Sequence, residues 1–117
     1  MLRAIMNLDW FTSLPVAIAI CDDQGVILDM NDKAAATFAK DGGRDLIGKS
    51  LLDCHSESSR KQIRQMLRTH TSNCYTIEKS GIKKMIYQTP WFQNSKFSGL
   101  IEFSFEIPNL MPHFVRD

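Results

Sequence analysis

Residues 14–38 read Leu14-Pro-Val-Ala-Ile-Ala-Ile-Cys-Asp-Asp-Gln-Gly-Val-Ile-Leu-Asp-Met-Asn31-Asp-Lys-Ala-Ala-Ala-Thr-Phe38. Two short apolar runs, Val16–Cys21 and Val26–Met30, flank Asp22-Asp-Gln-Gly25. Acidic side chains at such a link bond the neighbouring backbone, and glycine accepts positive φ without steric cost, so the stretch predicts a β-hairpin. Asn31 is a favoured N-cap, and Ala34, Ala35, Phe38 and Ala39 follow at helical spacing. The chain is therefore expected to pass from the hairpin straight into a small-residue helix.

Working outward, Gly42-Gly43 ends that helix, and Asp45-Leu-Ile-Gly48 reads as one helical turn with a glycine stop. Ser59-Arg-Lys-Gln62 has the capping-box spacing, and Ile63, Met66, Leu67 and His70 follow at i, i+3, i+4 and i+7, so a longer helix is expected there. Beyond it the period changes to two. Asn73–Lys79, Ile82–Phe92 and Gly99–Ile107 read as strands, with Ser80-Gly81 and 93–96 as turns. Met85, Tyr87, Thr89 and Trp91 share one face of the second of these. In the last, Ile101, Phe103, Phe105 and Ile107 alternate with Glu102, Ser104 and Glu106. Phe103 and Phe105 are expected to point at the helices, with Glu102 and Ser104 on the opposite face. Upstream, Leu2, Ile5, Met6, Trp10 and Phe11 predict an amphipathic N-terminal helix that Pro15 stops. The class is α+β with an antiparallel sheet. The expected layout is a flanking helix at 1–13, one domain at 14–108 and a tail at 109–117.

The 117 residues allow a single domain, with a core large enough to need no disulfide or metal. Fourteen basic against thirteen acidic residues leave a net charge of +1, which offers no broad basic face for nucleic acid or for an anionic membrane. The apolar run at 15–21 is too short to span a membrane and lacks the features of a secretory signal. Cys21, Cys54 and Cys74 are odd in number and widely spaced, so the chain reads as cytoplasmic with reduced thiols.

The order of these segments resembles a PAS domain, across roughly residues 8–108. The residues that carry the likeness are the hairpin with its Asp-x-x-Gly turn, Asn31 before Lys33-Ala-Ala-Ala-Thr-Phe38, the Leu46-Ile-Gly-Lys-Ser-Leu51 step, the serine-capped helix, and Gly99-Leu-Ile-Glu-Phe-Ser-Phe-Glu-Ile107. The resemblance implies a five-stranded antiparallel sheet in the order 2-1-5-4-3, with short helices on one face. It also implies a sensory role in signalling of the bacterial type, through a small-molecule pocket, through dimerisation, or through both, without catalysis. Where PAS sensors often continue into a coiled coil, this chain has Glu106-Ile-Pro108 and then Pro112, both prolines opposing a helix.

The chemistry of PAS subfamilies can be checked residue by residue. Flavin photosensors of the family place a reactive cysteine where this chain has Leu51, and haem-binding members place a histidine where it has Ile63. Neither cofactor is expected, although a haem-binding redox or gas sensor using His55 is an alternative. His70 and Cys74 have zinc-ligand spacing but straddle a predicted helix end, and Cys54-His55 lacks a third group to orient a base. Lys83-Lys84 reads as a solvated strand edge. The pocket candidates are Ile18, Ile20, Leu28, Met30, Phe38, Ile47, His55, Ile63, Met66, Leu67, Met85, Tyr87, Phe103 and Phe105, with Tyr87, Gln88 or His55 as the polar anchor. The alternative to a ligand site is a dimerisation module with a solid core. The expected partners are a second copy, bound through the N-terminal helix and one sheet face, a small molecule, and a signalling protein.

Overall fold

The structure is a computed structural model that describes residues 9–117. Five antiparallel strands, β1 (Ala17–Cys21), β2 (Ile27–Met30), β3 (Asn73–Lys79), β4 (Ile82–Gln93) and β5 (Lys96–Glu106), form one sheet in the order β2-β1-β5-β4-β3. Before β1 lies helix α1 (Asp9–Ser13). Between β2 and β3 lie α2 (Asp32–Thr37), three 3₁₀ turns (Ala39–Asp41, Gly43–Leu46, Leu51–Cys54) and α3 (Glu57–Thr69). Of the expected N-terminal helix, Leu2, Ile5 and Met6 lie outside the described residues.

The hairpin forms for the local reason its sequence suggests. Asp22 Oδ1 accepts from the backbone N–H of Gln24 and of Val26, both at 2.9 Å, which closes the turn between β1 and β2. Ser80-Gly81 and Asn94-Ser95 have positive φ at both central positions, matching the primed turns that follow the twist of their flanking strands. Pro90 lies inside β4 opposite Leu100 of β5, but beyond Gln88, where pairing with β3 ends, so its missing N–H takes nothing from the β3–β4 ladder. The free edge of β2 is covered in turn by residues 48–51. Gly48 N donates to Ile27 O (2.8 Å), Ile27 N to Lys49 O (2.9 Å) and Leu51 N to Gly25 O (2.7 Å).

Asn31 joins the hairpin to the helices. Its Oδ1 accepts from Ala34 N (3.1 Å), capping α2, and from Ile18 N (3.0 Å), while its Nδ2 donates to Val16 O (2.7 Å). The side chain is 1% exposed, so all three bonds are made away from water. Helix α3 begins earlier than the sequence suggested. Ser56, not Ser59, is its N-cap and accepts from Ser59 N at 3.4 Å, which makes Ser59 the third helical residue. His70 does not continue the apolar stripe. It is the C-cap, in the left-handed conformation, and its exposed ring stacks on Phe97 at 3.7 Å. Ala39 likewise is exposed, because α2 stops at Thr37 and a 3₁₀ turn takes over.

Both faces of the sheet carry apolar clusters. On the inner face, Ala17, Ile27, Met30, Ala34 and Leu46 form one cluster, joined by Phe38 and Ile47. Cys21, Ile63, Met66 and Leu100 form a second, joined by Leu67. On the outer face, Phe11 of α1 packs on Ile18 and Ile20, with Leu28, Ile101 and Phe103 around them. Residue pairing fixes which rows go where: Ala17 opposes Ser104 and Ala19 opposes Glu102, whereas Ile18 opposes Phe103 and Ile20 opposes Ile101. Glu102 and Ser104 therefore face the helices and Phe103 and Phe105 face away, the reverse of the expectation. β1 is apolar in both rows, and the larger side chains took the side that α1 covers.

Replacing Asn31 by Ala removes the α2 cap and takes the side-chain partner from the buried Ile18 N and the part-buried Val16 O. We expect a loss of about 3–5 kcal/mol in urea denaturation, against under about 1 kcal/mol for Asn109→Ala in the exposed segment after β5.

Candidate functional site

The inner face carries a polar row across three strands. Asn73 on β3, Gln88 on β4 and Glu102 on β5 are register partners. Asn73 Nδ2 donates to Gln88 Oε1 (3.2 Å), and Gln88 Nε2 donates to Glu102 Oε1 (2.7 Å). Gln88 is only 6% exposed, so both ends of its amide are bonded inside the fold. The next row is Tyr75, Ile86, Ser104 and Ala17, and beyond it Lys84 opposes Glu106.

Glu102 of the first row, the whole of the second and Lys84 beyond it help to line a cleft of about 180 Å³ between the sheet and α2. Ala17, Ala19 and Ala34 line it together with Thr37, Phe38, His55, Tyr75, Ile77, Lys84, Ile86, Glu102 and Ser104. Space exists there because three of the lining positions carry only a methyl group. Under α3, by contrast, the void bordered by Cys21, Ile63, Met66, Gln88 and Leu100 is about 20 Å³, enough for about one water.

The sequence-derived pocket candidates divide between the faces. Phe38 and His55 line the cleft, while Met30, Ile47, Ile63, Met66 and Leu67 pack the inner core around it. Ile18, Ile20, Leu28 and Phe103 belong to the outer cluster. Met85 and Tyr87 oppose Phe105 and Phe103 on that same outer side. Of the three polar anchors considered, Gln88 is inside, His55 is at the rim with its Nδ1 donating to Leu51 O (2.8 Å), and Tyr87 is outside. The sequence reading missed Tyr75, Lys84 and Glu102. Lys84 lies on β4, which is interior to the sheet at that point, so the Lys83-Lys84 pair is not an edge. His70 and Cys74 do not meet at a metal site: His70 stacks on Phe97, and Cys74 Sγ lies 3.3 Å from Met85 Sδ. Among the described residues no three His, Cys, Asp or Glu side chains gather as metal ligands, and no helix is long and apolar enough to cross a membrane.

Two groups here titrate abnormally. Burial pushes the Cys21 thiol up to about 11, and nearby Asp22 and Glu102 add to the effect. Tyr75 is also raised, by partial burial and then by the Glu102 carboxylate.

Residues 11–74 match the family model of the PAS fold. The chain belongs to the PAS fold family. No curated protein matches it by sequence. Among solved structures it is similar to the PAS domain of a Colwellia psychrerythraea protein, with 18% identity and a TM-score of 0.63, covering 91% of this chain and 94% of that one. The PAS domain of Bordetella pertussis BvgS gives 15% identity and a TM-score of 0.64, over 93% and 89% of the two chains. Vibrio cholerae VqmA, described as a dimer and a LuxR-type receptor that binds DNA, gives 18% identity and a TM-score of 0.66. There 93% of this chain matches only 53% of VqmA. The sheet order expected from the resemblance is the order seen here, and the polar row and alanine-floored cleft lie on its helix side.

A thiol with a raised pKa favours the folded state only while the unfolded thiol would stay protonated. The contribution of Cys21 is thus complete below pH 9.0 and lost as pH rises to about 11. Over that interval wild type should lose about 3 kcal/mol more than Cys21→Ala, measured by urea midpoints at matched pH, since the other titrating groups are common to both.

Proposed function

We propose that this PAS domain is a sensory, signal-transducing module that binds a small molecule in the cleft between α2 and the inner face of β3–β5. The carrying observation is the cleft itself: a methyl-lined floor edged by a carboxylate, an ammonium, a phenol and an imidazole. Ligand sites combine an apolar lining with a few convergent polar groups in this way. At about 180 Å³ the cleft lies below the range of drug-sized pockets, about 300–1,000 Å³, which points to a small ligand. The family assignment supports a signalling role, as do structural neighbours described as a sensor histidine kinase from Vibrio cholerae and as VqmA bound to DPO. No residue needs a catalytic part in this reading.

A second reading, self-association, rests on the outer face. Tyr87 is 39% and Trp10 61% exposed beside the cluster that Phe11 buries, and together they leave an aromatic surface. In this reading two copies meet through α1 and the outer face. Light scattering of the full chain at micromolar concentration should give a dimer that Tyr87→Glu converts to monomer. A wild-type monomer would remove the dimer reading and leave the cleft untouched.

For the cleft, amide shifts in a fragment titration should move at Ala17, Tyr75, Ile86 and Glu102. Ser104→Phe, which fills the floor from β5, should weaken any such binding about tenfold or more while the protein stays folded. An absorption scan of freshly purified protein from about 300 to 600 nm should show no Soret or flavin band; a Soret band lost in His55→Ala would favour the haem alternative. Shifts confined to the outer face would sink the cleft reading.

A further inference from the structure

The cleft carries opposite charges in the two rows that bound it, Glu102 in one and Lys84 in the other, which suits a particular kind of ligand. Glu102 is held by Gln88, whose Nε2 donates to Oε1 at 2.7 Å, so the carboxylate is aimed rather than free to swing. Tyr75 lies close enough for the Glu102 charge to act on its phenol. Among the described residues the ion pairs join Arg44 to Asp32, and Arg60 and Arg64 to Glu57; neither Glu102 nor Lys84 takes part in one. A half-buried carboxylate with no cation against it leaves a charge that a bound cation can pair with.

Lys84 lines the same cleft. It pairs in register with Glu106, four residues along β5 from Glu102, a rise of about 13 Å between the backbone positions. The row between the two positions includes Ile86 and Ala17, whose side chains offer only hydrocarbon. A cation alone would leave Lys84 unmatched, and an anion alone would leave Glu102 unmatched. Glu106 opposes Lys84 but is exposed, so water screens any competition from it.

We propose that the cleft binds a small zwitterion of the ω-amino acid type, with its ammonium at Glu102 and Tyr75, its carboxylate at Lys84, and its methylenes over Ile86 and Ala17. An α-amino acid, whose charges are adjacent, could engage one end only. The proposal rests on the small-molecule reading of the cleft, and the probes are chosen to separate the two.

The test is calorimetric titration of the full chain with 5-aminopentanoate, pentylamine, pentanoate and glycine. The expected result is that 5-aminopentanoate binds about tenfold or more tightly than any of the other three. Glu102→Gln and Lys84→Met should each reduce that binding about tenfold, and Lys84→Met, at a half-buried position, should leave thermal unfolding unchanged. If pentylamine or pentanoate binds as well as 5-aminopentanoate, or if Lys84→Met has no effect, the zwitterion assignment fails and the cleft remains a small-molecule site. If none of the four binds while fragments still shift Ala17 and Ile86 amides, the same conclusion holds. If nothing of any class perturbs the cleft, both readings fall.

Discussion

Three hydrogen bonds from one buried amide set the geometry on which the rest of the domain depends. Asn31 closes the start of α2, holds the start of β1 through Val16 and Ile18, and does so at the last step of β2. The amide accepts two backbone N–H groups at its oxygen and donates to a carbonyl from its separate nitrogen. An ionised aspartate has no donor, and a serine would have to make all three bonds at one oxygen on a shorter side chain, so neither replaces it fully. With the direction of α2 fixed against the sheet, Ala34 lands on Ala17, and the 3₁₀ turns that follow bring Leu46 into the same cluster. The cleft is the space left beyond that contact.

A second constraint is steric. Gly99 has a φ of +145°, and a Cβ there would lie 1.9 Å from the carbonyl oxygen of Cys21. β5 can run this close to the end of β1 only because that position has no side chain. The approach seats Leu100 against Cys21 under α3 and lets Trp91 Nε1 donate to Cys21 O at 3.0 Å. The surface ion pairs, Arg44 with Asp32 and Arg60 and Arg64 with Glu57, are exposed and contribute little by comparison.

What the sequence disclosed was mostly local. The hairpin, the Asn31 cap and the primed turns are decided by residues within a few positions of one another, and their chemistry is visible in the letters. Strand order came from resemblance to the PAS family, since no short-range rule sets it. The facing of β4 and β5 was misread because alternation identifies two rows without saying which is inward. The apolar row, Ile101, Phe103 and Phe105, was assigned to the helices. The helices instead meet the row with Glu102 and Ser104, because Gln88, itself held by Asn73, supplies a partner for the acid and α1 supplies a cover for the aromatics. One clue was present: the alternation of Ala17 and Ala19 with Ile18 and Ile20 leaves room on one side of β1 and fills the other. Cleft residues such as Tyr75 and Lys84 were illegible for the same reason, as their importance depends on register with β5.

β5 is one layer thick, and its successive residues belong to different compartments. Glu102 borders the cleft, while Ile101 and Phe103, its immediate neighbours in the chain, are packed under Phe11 on the far side. The strand is thus a common wall between two rooms, and pleating ties the positions of its two surfaces together. Any tilt of β5 caused by filling the cleft is transmitted to the aromatic surface through a single covalent bond path, without a relay of side chains. A displacement of β5 at one surface is then a displacement at the other.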